Sequence, residues 1–337
     1  MMPRRGPSRS LPSTSLERWQ KDLPDKGMHA TGNKSIASLF SKKQVTVLIT
    51  DSGLGGLSIF AQIASRLKSE PIFPRVSLIY FNAMPEQSRG FNALKDMDER
   101  IRVFDGALEG MKRHKPDLIM IACNTLSVLY DRTAFSRRES IPVVDIVRFG
   151  VDIVYEQLLR DPEAKAVLLG TVTTIASDLH RSQLIDKGIS ADRIIVQACD
   201  QLATQIEKGP GSTAVVRLIN TCMDQAAKEL GHAQTNVVVA LFCTHFGFSR
   251  NIIRESMQKR VSGKVMVLDP NQRMAASLFE TTDGIGRDNA IVDLKIVSKI
   301  IWDKTRIDAI SSVIQPLSAE TAQALRNYQW VPDLFAF

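Results

Sequence analysis

Short apolar runs alternate with longer amphipathic stretches from Val45 onward. Val45–Thr50 is rich in β-branched residues and predicts a buried strand, while residues 55–68 carry apolar side chains at helical spacing and predict a helix. The same pattern predicts seven more strands, at Val76–Phe81, Leu118–Ala122, Ile141–Ile146, Ala166–Gly170, Arg193–Gln197, Asn236–Phe242 and Lys264–Leu268, and further helices over 98–113, 212–230 and 319–327 and after Pro270. This alternation is typical of an α/β fold in which helices cover both faces of a parallel sheet.

The spacing of polar residues at the predicted strand ends indicates an internal duplication. Asp51 and Cys123 lie 72 residues apart, and so do Thr171 and Cys243. At this offset the segment VLITDS aligns with VLLGTV, and IACNT aligns with LFCTH. We therefore predict two pseudo-symmetric lobes, each a mostly parallel sheet flanked by helices. Ligands of open α/β sheets bind beyond the carboxyl ends of the strands, so the active site is expected in the cleft between the lobes.

The predicted boundaries divide the chain into four parts. Residues 45–145 form the first lobe and residues 146–280 the second. Residues 281–337 form a C-terminal extension that we expect to be partly helical and to pack back on the first lobe. Residues 1–44 mix Pro, Ser and Arg without apolar periodicity, a composition that cannot offset the entropy of ordering, so we expect a disordered extension.

The net charge of the chain says little about the function of the two lobes, because most of it lies near the N-terminus. The chain of 337 residues has a formal net charge of +7, which points at first to a nucleic-acid partner. Residues 1–44 hold nine Lys and Arg against three acidic residues, so the two lobes are nearly neutral and no nucleic-acid partner is expected. No stretch approaches the ~18 apolar residues of a membrane span. We expect a soluble cytoplasmic protein without a membrane partner, and the basic arm leaves organellar targeting open.

Four cysteines without CxxC pairs favour reduced thiols. Cys199 and Cys222 have no duplicated counterpart, and we expect structural roles for them. Cys123 and Cys243 stand at equivalent strand ends, so they would occupy opposite walls of the cleft. Two facing thiols suit the inversion of a stereocentre without a cofactor, because one removes a proton from carbon and the other returns a proton to the opposite face.

Polar neighbours of the two cysteines fit this chemistry. Asp51 is placed to handle the proton of Cys123, and His245 is placed to handle that of Cys243. Hydroxyl and amide side chains at the same strand ends, with main-chain amides, are suited to hold a carboxylate and the negative charge that develops at Cα; these are Ser52, Asn124, Thr125 and Thr244. The isolated His114, His180 and His232 are expected to have surface or capping roles.

Four motifs together resemble those of the glutamate racemases, in the same order and at similar spacing. They are Asp51-Ser52-Gly53-Leu54-Gly55-Gly56, Ala122-Cys123-Asn124-Thr125, Gly170-Thr171-Val172-Thr173-Thr174 and Cys243-Thr244-His245. Those enzymes belong to the cofactor-independent aspartate/glutamate racemase superfamily, and the similarity spans roughly Val45 to Leu278. The resemblance implies two α/β lobes, a two-thiol mechanism without a cofactor, a small amino-acid substrate and a homodimer. With glutamate as substrate, it also implies a supply of D-glutamate for cell-wall peptidoglycan.

The resemblance also implies roles for individual residues. Cys123 and Cys243 would be the catalytic pair, with Asp51, His245 and the more loosely matched Glu207 assisting them. Residues that would bind the ammonium and α-carboxylate groups of the substrate are Ser52, Asn124, Thr125, Thr173 and Thr244.

One segment departs from the pattern of that family. Glutamate racemases usually carry an Asp-x-Ala segment and then Pro-Tyr-Gly, whose main chain receives the side-chain carboxylate of glutamate. Residues 82–90 of this chain read NAMPEQSRG, so the Tyr is missing and Glu86 would repel a second carboxylate unless it points away. Arg89 or Arg148 would compensate by charge-assisted pairing. Glutamate is thus the first expected substrate, and aspartate or another amino acid the alternative.

Three other classes of function remain open from the residues. Cys123, Cys243, His245 and Asp51 are zinc ligands by type, although no pair has the usual short metal-binding spacing. Related decarboxylases and isomerases use one cysteine instead of two. The altered segment at 82–90 is also compatible with a non-catalytic binder of small carboxylates.

Overall fold

The computed structural model of the chain describes Leu39 and residues 41–231, 235–280 and 290–337. The predicted N-terminal extension therefore lies almost entirely outside the described residues, as does His232. The predicted boundary between the second lobe and the C-terminal extension also falls at their edge.

The first lobe is built on four parallel strands in the order β2-β1-β3-β4. The strand β1 has alternate side chains on opposite faces of the sheet: Val45, Val47 and Ile49 enter one hydrophobic core, and Leu48 enters the other. Both faces are therefore covered, as the continuous apolar run predicts. The elements of this lobe are β1 (Gln44–Asp51), α1 (Leu57–Ser69), β2 (Arg75–Asn82), α2 (Met97–Lys112), β3 (Leu118–Ile121), α3 (Asn124–Tyr130), α4 (Ala134–Arg138) and β4 (Val143–Asp145).

The second lobe repeats this arrangement with four parallel strands in the order β6-β5-β7-β8. Its elements are α5 (Val147–Arg160), β5 (Lys165–Gly170), α6 (Val172–Ala176), α7 (Leu179–Asp186), β6 (Ile194–Ala198), α8 (Leu202–Lys208), α9 (Thr213–Leu230), β7 (Val237–Phe242), α10 (Arg250–Gln258), β8 (Val265–Leu268) and α11 (Pro270–Ser277). Each strand of the first lobe has a counterpart at the same place in the second sheet, in agreement with the duplication read from the sequence.

The chain then returns to the first lobe. Strand β9 (Ile291–Ser298) pairs in parallel with β2 along its whole length, and the two-residue strand β10 (Gln329–Trp330) pairs with β9. Helices α12 (Lys304–Ile314) and α13 (Ala319–Arg326) lie between these two strands in sequence. Their residues Ile310, Ile314 and Leu325 enter the core that α1 covers. The C-terminal residues thus complete the first sheet instead of forming a separate unit.

Helix α11 and the last residues of the chain add further contacts to the first lobe. Helix α11 buries Met274 in the core of the first lobe, and Leu278, which follows the helix, lies in the same core. The second sheet itself ends with β8. The last residues also pack tightly on α2: a Cβ on Gly106 would lie 2.1 Å from the carbonyl oxygen of Ala336. A side chain at position 106 would therefore displace the C-terminal segment.

Candidate active site

The carboxyl ends of four strands bring the predicted site residues together between the lobes. Asp51 ends β1 and Cys123 follows β3, while Thr171 follows β5 and Cys243 follows β7. All four side chains are buried. Because β1 pairs with β3 and β5 pairs with β7, the loops that follow the strands of each pair lie side by side, and the two pairs of loops meet through hydrogen bonds between the lobes.

The thiol of Cys123 faces the glycine-rich loop that follows β1. Its Sγ lies 3.2 Å from the hydroxyl Oγ of Ser52. Burial and the nearby carboxylate of Asp51 raise the pKa of the Cys123 thiol far above its usual range, and the Ser52 hydrogen bond only partly opposes them. In the structure as it stands, Cys123 is therefore a protonated thiol at neutral pH.

The thiol of Cys243 has a different set of neighbours. Its Sγ lies 3.7 Å from Nδ1 of His245, whose Nε2 lies 2.7 Å from Oε1 of Glu207. Burial lowers the pKa of His245, but the hydrogen bonds with Cys243 and Glu207 outweigh it and raise that pKa well above 6.5. Burial also opposes ionisation of Glu207, yet His245 holds the Glu207 pKa below its usual value. A buried imidazolium–carboxylate pair thus stands beside Cys243, ready to stabilise a thiolate.

The glycine-rich loop of the first lobe packs directly against the segment that carries His245. Thr244 donates its hydroxyl to Oδ2 of Asp51 at 2.8 Å, and the Leu54 N–H donates to Oε1 of Glu207 at 2.8 Å. A Cβ on Gly55 would lie 2.4 Å from Oγ1 of Thr244, so only glycine allows this approach. The predicted catalytic residues of both lobes consequently form one continuous polar cluster.

A second bridge between the lobes is made of hydroxyl groups. Thr125 Oγ1 lies 2.8 Å from Thr171 Oγ1 and 3.3 Å from Thr174 Oγ1. The Thr173 N–H donates to Oδ1 of Asn92 at 3.1 Å. These hydrogen bonds fix the amino-terminal end of α6, where Thr173 lies, against the first lobe.

Two polar groups at this junction are left without a protein partner. Among the described residues, the amide Nδ2 of Asn124 and the hydroxyl Oγ1 of Thr173 are buried and make no hydrogen bond. A buried polar group without a partner costs about 1–3 kcal/mol. A bound carboxylate would recover this by accepting from the Asn124 amide, and the Thr173 hydroxyl can either donate to a carboxylate or accept from an ammonium group. Both residues belong to the set for which the resemblance implies substrate binding.

His180 corrects a sequence prediction, because it is neither a surface nor a capping residue. Its side chain is buried, its Nε2 lies 2.9 Å from Oδ1 of Asn124, and its ring stacks on Phe242 at 4.0 Å between centroids. Burial lowers the pKa of His180 to about 3, so the ring is neutral and donates Nε2–H to the amide oxygen. Nothing in the sequence around His180 signals this role, since the contact depends on how α7 is placed against Asn124 at the start of α3.

Support for the loop after β1 was also not predicted. The hydroxyl of Tyr80 and the amide of Asn82 both donate to the Gly53 carbonyl oxygen, at 2.7 and 2.8 Å. Ser298 in turn donates to Oδ1 of Asn82 at 3.1 Å. The C-terminal strand β9 thereby helps to hold the loop that carries Ser52.

Arg89 alone among the predicted site residues lies outside the buried cluster. Its guanidinium pairs with the carboxylate of Glu86 at 2.8 Å and with that of Glu99 at 3.2 Å, on a partly exposed surface. The negative charge of Glu86 is therefore compensated within its own segment. The other ten residues come together: Asp51, Ser52, Cys123, Asn124, Thr125, Thr173, Glu207, Cys243, Thr244 and His245.

The ionisable side chains of the polar cluster are hydrogen-bonded to one another. Within residues 41–231, 235–280 and 290–337, no group of three His, Cys, Asp or Glu side chains converges as metal ligands would. The carboxylate of Asp51 and the imidazole of His245 are instead engaged in hydrogen bonds. The same residues include no helix with the length and apolar character needed to cross a membrane.

The sequence and the fold are both similar to those of known proteins. A glutamate racemase of Chlorobium phaeobacteroides is 27% identical to this chain over 215 residues, which cover 63% of this chain and 72% of that protein. The crystal structure of a glutamate racemase isoform from Bacillus anthracis superposes with a TM-score of 0.62 at 20% identity, covering 86% of this chain and 96% of that one. The glutamate racemase of Francisella tularensis, solved in complex with D-glutamate, gives 0.61 at 19% identity, covering 81% and 94%.

These similarities confirm the predicted fold class and the family resemblance. The family model of the Asp/Glu/Hydantoin racemases matches residues 52–278, which is more than half of the chain. The matched range begins at Ser52 and includes Cys123 and Cys243. The protein therefore belongs to the Asp/Glu/Hydantoin racemase family.

Proposed function

We propose that this protein is an amino-acid racemase that interconverts L- and D-glutamate without a cofactor. The observation that carries the proposal is the pair of buried thiols at equivalent strand ends, joined through one polar cluster yet given different partners for their protons. A binder of small carboxylates would have no need of such partners. Glutamate is supported by the names of the related proteins from Chlorobium and Francisella.

In one direction of the reaction, the thiolate of Cys243 removes the proton from Cα of the substrate. The electron pair of that C–H bond passes into the substrate carboxylate, and the Cys243 sulfur becomes a thiol. Cys123 then gives its thiol proton to the opposite face of Cα and becomes a thiolate. The product is the other enantiomer, and the reverse reaction uses the same two groups in exchanged roles.

The remaining residues of the cluster assist these steps electrostatically. The imidazolium of His245 stabilises the Cys243 thiolate, and Glu207 keeps that imidazolium charged. The free Nδ2 of Asn124 and Oγ1 of Thr173 are suited to hold the substrate and the charge that develops on its carboxylate. Neutral His180 fixes the Asn124 amide so that its NH₂ group is available.

The choice between glutamate and aspartate depends on how the side chain of the substrate is received. In the altered segment, Glu86 is paired with Arg89, and this pairing removes the repulsion that Glu86 would otherwise exert on a second carboxylate. Glutamate therefore stays the first substrate and aspartate the second. If glutamate is used, the product D-glutamate would serve peptidoglycan synthesis. Self-association also stays a prediction, for light scattering to test.

The proposal is tested with the purified full chain in deuterated water. Each enantiomer of glutamate and aspartate is supplied. The products are separated by chiral chromatography, and their deuterium content is measured by mass spectrometry. We expect early product of the opposite configuration to carry one deuterium at Cα, because the donating thiol exchanges with solvent. Carbon dioxide release would instead identify a decarboxylase, and the absence of both exchange and conversion with every amino acid tried would identify a binder. Loss of activity to a chelator would support the zinc hypothesis.

A further inference from the structure

Arg306 reaches the catalytic cluster from a part of the chain that the family match does not cover. It lies in the first turn of α12, beyond residue 278, where the match ends. The Arg306 N–H donates to Oδ1 of Asp303 at 2.9 Å, which caps the helix and fixes its start. The Arg306 side chain is only 17% exposed, and its Nε lies 3.4 Å from Oε2 of Glu207.

The carboxylate of Glu207 is held from both lobes. Within its own lobe, Oε1 lies 2.7 Å from Nε2 of His245. From the first lobe, the Leu54 N–H donates to the same Oε1, while Arg306 faces Oε2. Helix α12 belongs to the first lobe because its residues Ile310 and Ile314 are buried in that core. The approach of Arg306 to Glu207 therefore exists only while the two lobes are together as they are here.

The charges around Glu207 explain why this contact matters. Burial raises the pKa of the Glu207 carboxyl, whereas the hydrogen bond and charge of His245 and the charge of Arg306 lower it by more. Burial and the charge of Asp51 raise the pKa of Tyr80 on β2, and the charge of Glu207 adds to this effect. The second acid near Arg306 is Asp303, which lies 4.0 Å away and is mostly exposed. Glu207 is thus the nearer and more buried counter-ion of the guanidinium.

We propose that Arg306 is a positioning residue that fixes Glu207 toward His245 and so couples the closed arrangement of the lobes to the reactivity of Cys243. The guanidinium holds its positive charge beside Oε2, at 3.4 Å and without a hydrogen bond from Nε, and leaves Oε1 aimed at the imidazolium. Without it, Oε1 loses its fixed direction and the His245 charge loses part of its support. The inference rests on the proposed function for its catalytic meaning, but the link to Cys243 is measurable without substrate.

The test measures the alkylation of each thiol by iodoacetamide in the full-length protein, with labelled peptides quantified by mass spectrometry. Arg306→Gln is expected to slow labelling of Cys243 about tenfold near neutral pH, because a Glu207 carboxylate that is no longer fixed toward His245 supports the imidazolium less, and a loss of about one pKa unit of support corresponds to a factor of ten. Labelling of Cys243 should also fall off at a higher pH than in the wild type, because loss of Arg306 raises the pKa of Glu207 and this counter-ion of His245 is then neutralised at a higher pH. Labelling of Cys123 should stay unchanged.

The labelling rate of Cys123 shows whether Arg306 positions Glu207 or only holds the two lobes together. If Arg306 only holds the lobes together, its loss opens the cleft and speeds the labelling of both thiols, which would overturn the proposal. The matched control is Arg273→Gln. Arg273 of α11 pairs with Glu156 of α5 at 2.7 Å and likewise links the two lobes, but it touches neither cysteine. This control should leave Cys243 labelling as in the wild type, and an equal slowing in both variants would also overturn the proposal.

A conservative pair of variants keeps the test decisive if Arg306→Gln does not fold. Arg306→Lys retains a charge but loses the planar fork of the guanidinium, so Cys243 labelling should fall between the wild type and the Gln variant. Arg273→Lys should have no effect. In the racemase assay, kcat/KM should fall by a similar factor in both directions, because the two enantiomers have equal free energies. A protein without racemase activity in which the labelling still changes as expected would refute the proposed function alone.

Discussion

Cys123 and Cys243 occupy equivalent positions in two duplicated lobes, yet their surroundings are not duplicated. Cys123 has the neutral hydroxyl of Ser52 at 3.2 Å and the negative charge of Asp51 nearby. Cys243 has the imidazole of His245 at 3.7 Å, backed by Glu207. The two sulfur atoms therefore lie at equivalent positions of the duplicated fold, whereas the side chains that surround them differ.

This difference gives each thiol a different electrostatic environment. Burial and the negative charge of Asp51 raise the pKa of the Cys123 thiol, whereas the group beside Cys243 is an imidazole whose own pKa is raised by its hydrogen bonds with Cys243 and Glu207. A two-thiol racemase needs one base and one acid at the same moment. In the proposed mechanism, the asymmetry of the neighbours supplies that state, while the symmetry of the lobes puts the two groups on either side of one site.

The largest effect on racemisation is expected when either of the two thiols is removed. Cys123→Ala and Cys243→Ala should each lower racemisation at least about a thousandfold, since each variant lacks one of the two proton-transfer groups. In deuterated water, each variant should still exchange the Cα hydrogen of only one enantiomer, and that enantiomer should differ between the two. Chiral chromatography and mass spectrometry measure both results.

A matched control for the cysteine variants is Cys222→Ala. Cys222 is buried in the same hydrophobic core as Cys243 but makes no hydrogen bond with the residues of the polar cluster. Its loss should leave kcat within a few-fold of the wild-type value. Near wild-type racemisation by either catalytic variant would contradict the two-thiol mechanism.

Removal of the charge behind Cys243 should have the next largest effect. Glu207→Gln takes away a carboxylate that raises the pKa of His245, so that pKa should fall and burial should leave the imidazole neutral near pH 7. We expect iodoacetamide labelling of Cys243 to slow about tenfold or more, with Cys123 unaffected. Glu156→Gln, which removes a carboxylate paired with Arg273 away from the cluster, is the control. Equal slowing of both thiols would show that the lobes had moved instead.

Much of the fold could be predicted because most strands are short apolar runs buried on both faces. All eight predicted strands are present, although Val143–Asp145 is shorter than the segment Ile141–Ile146 that suggested it. Strand β9 was missed for a physical reason. Its first half is partly exposed and includes the charged residues Asp293 and Lys295, and its partner β2 lies near the other end of the chain. Only the folded sheet reveals that pairing.

The site could be predicted to the extent that it lies at strand ends. Asp51, Cys123 and Cys243 follow directly from the alternation of strands and helices, because parallel strands place their carboxyl ends at one edge of a sheet. His180 and Arg306 lie on helices without a motif, and each contributes through a contact with a distant residue. Such contacts depend on how whole helices pack, which a single sequence does not encode locally.

The smallest effect is expected on the Cys123 side, from Ser52→Ala. The Ser52 hydroxyl lowers the pKa of Cys123 against the larger effects of burial and Asp51, so its removal should raise that pKa further. A single lost hydrogen bond is worth about 1 kcal/mol, or roughly a fivefold fall in kcat/KM. Labelling of Cys123 should require a higher pH than in the wild type, and labelling of Cys243 should not change.

The control for Ser52→Ala lies one turn along α3. Ser127 donates its hydroxyl to the main-chain carbonyl of Cys123 at 2.9 Å and not to the sulfur, so Ser127→Ala removes a hydroxyl from the same neighbourhood without touching the thiol. Its Cys123 labelling profile should match the wild type. If the two serine variants behave alike, the Ser52 contact has no special part in the chemistry of Cys123. The contrast between the thiols would then rest on Asp51, His245 and Glu207 alone.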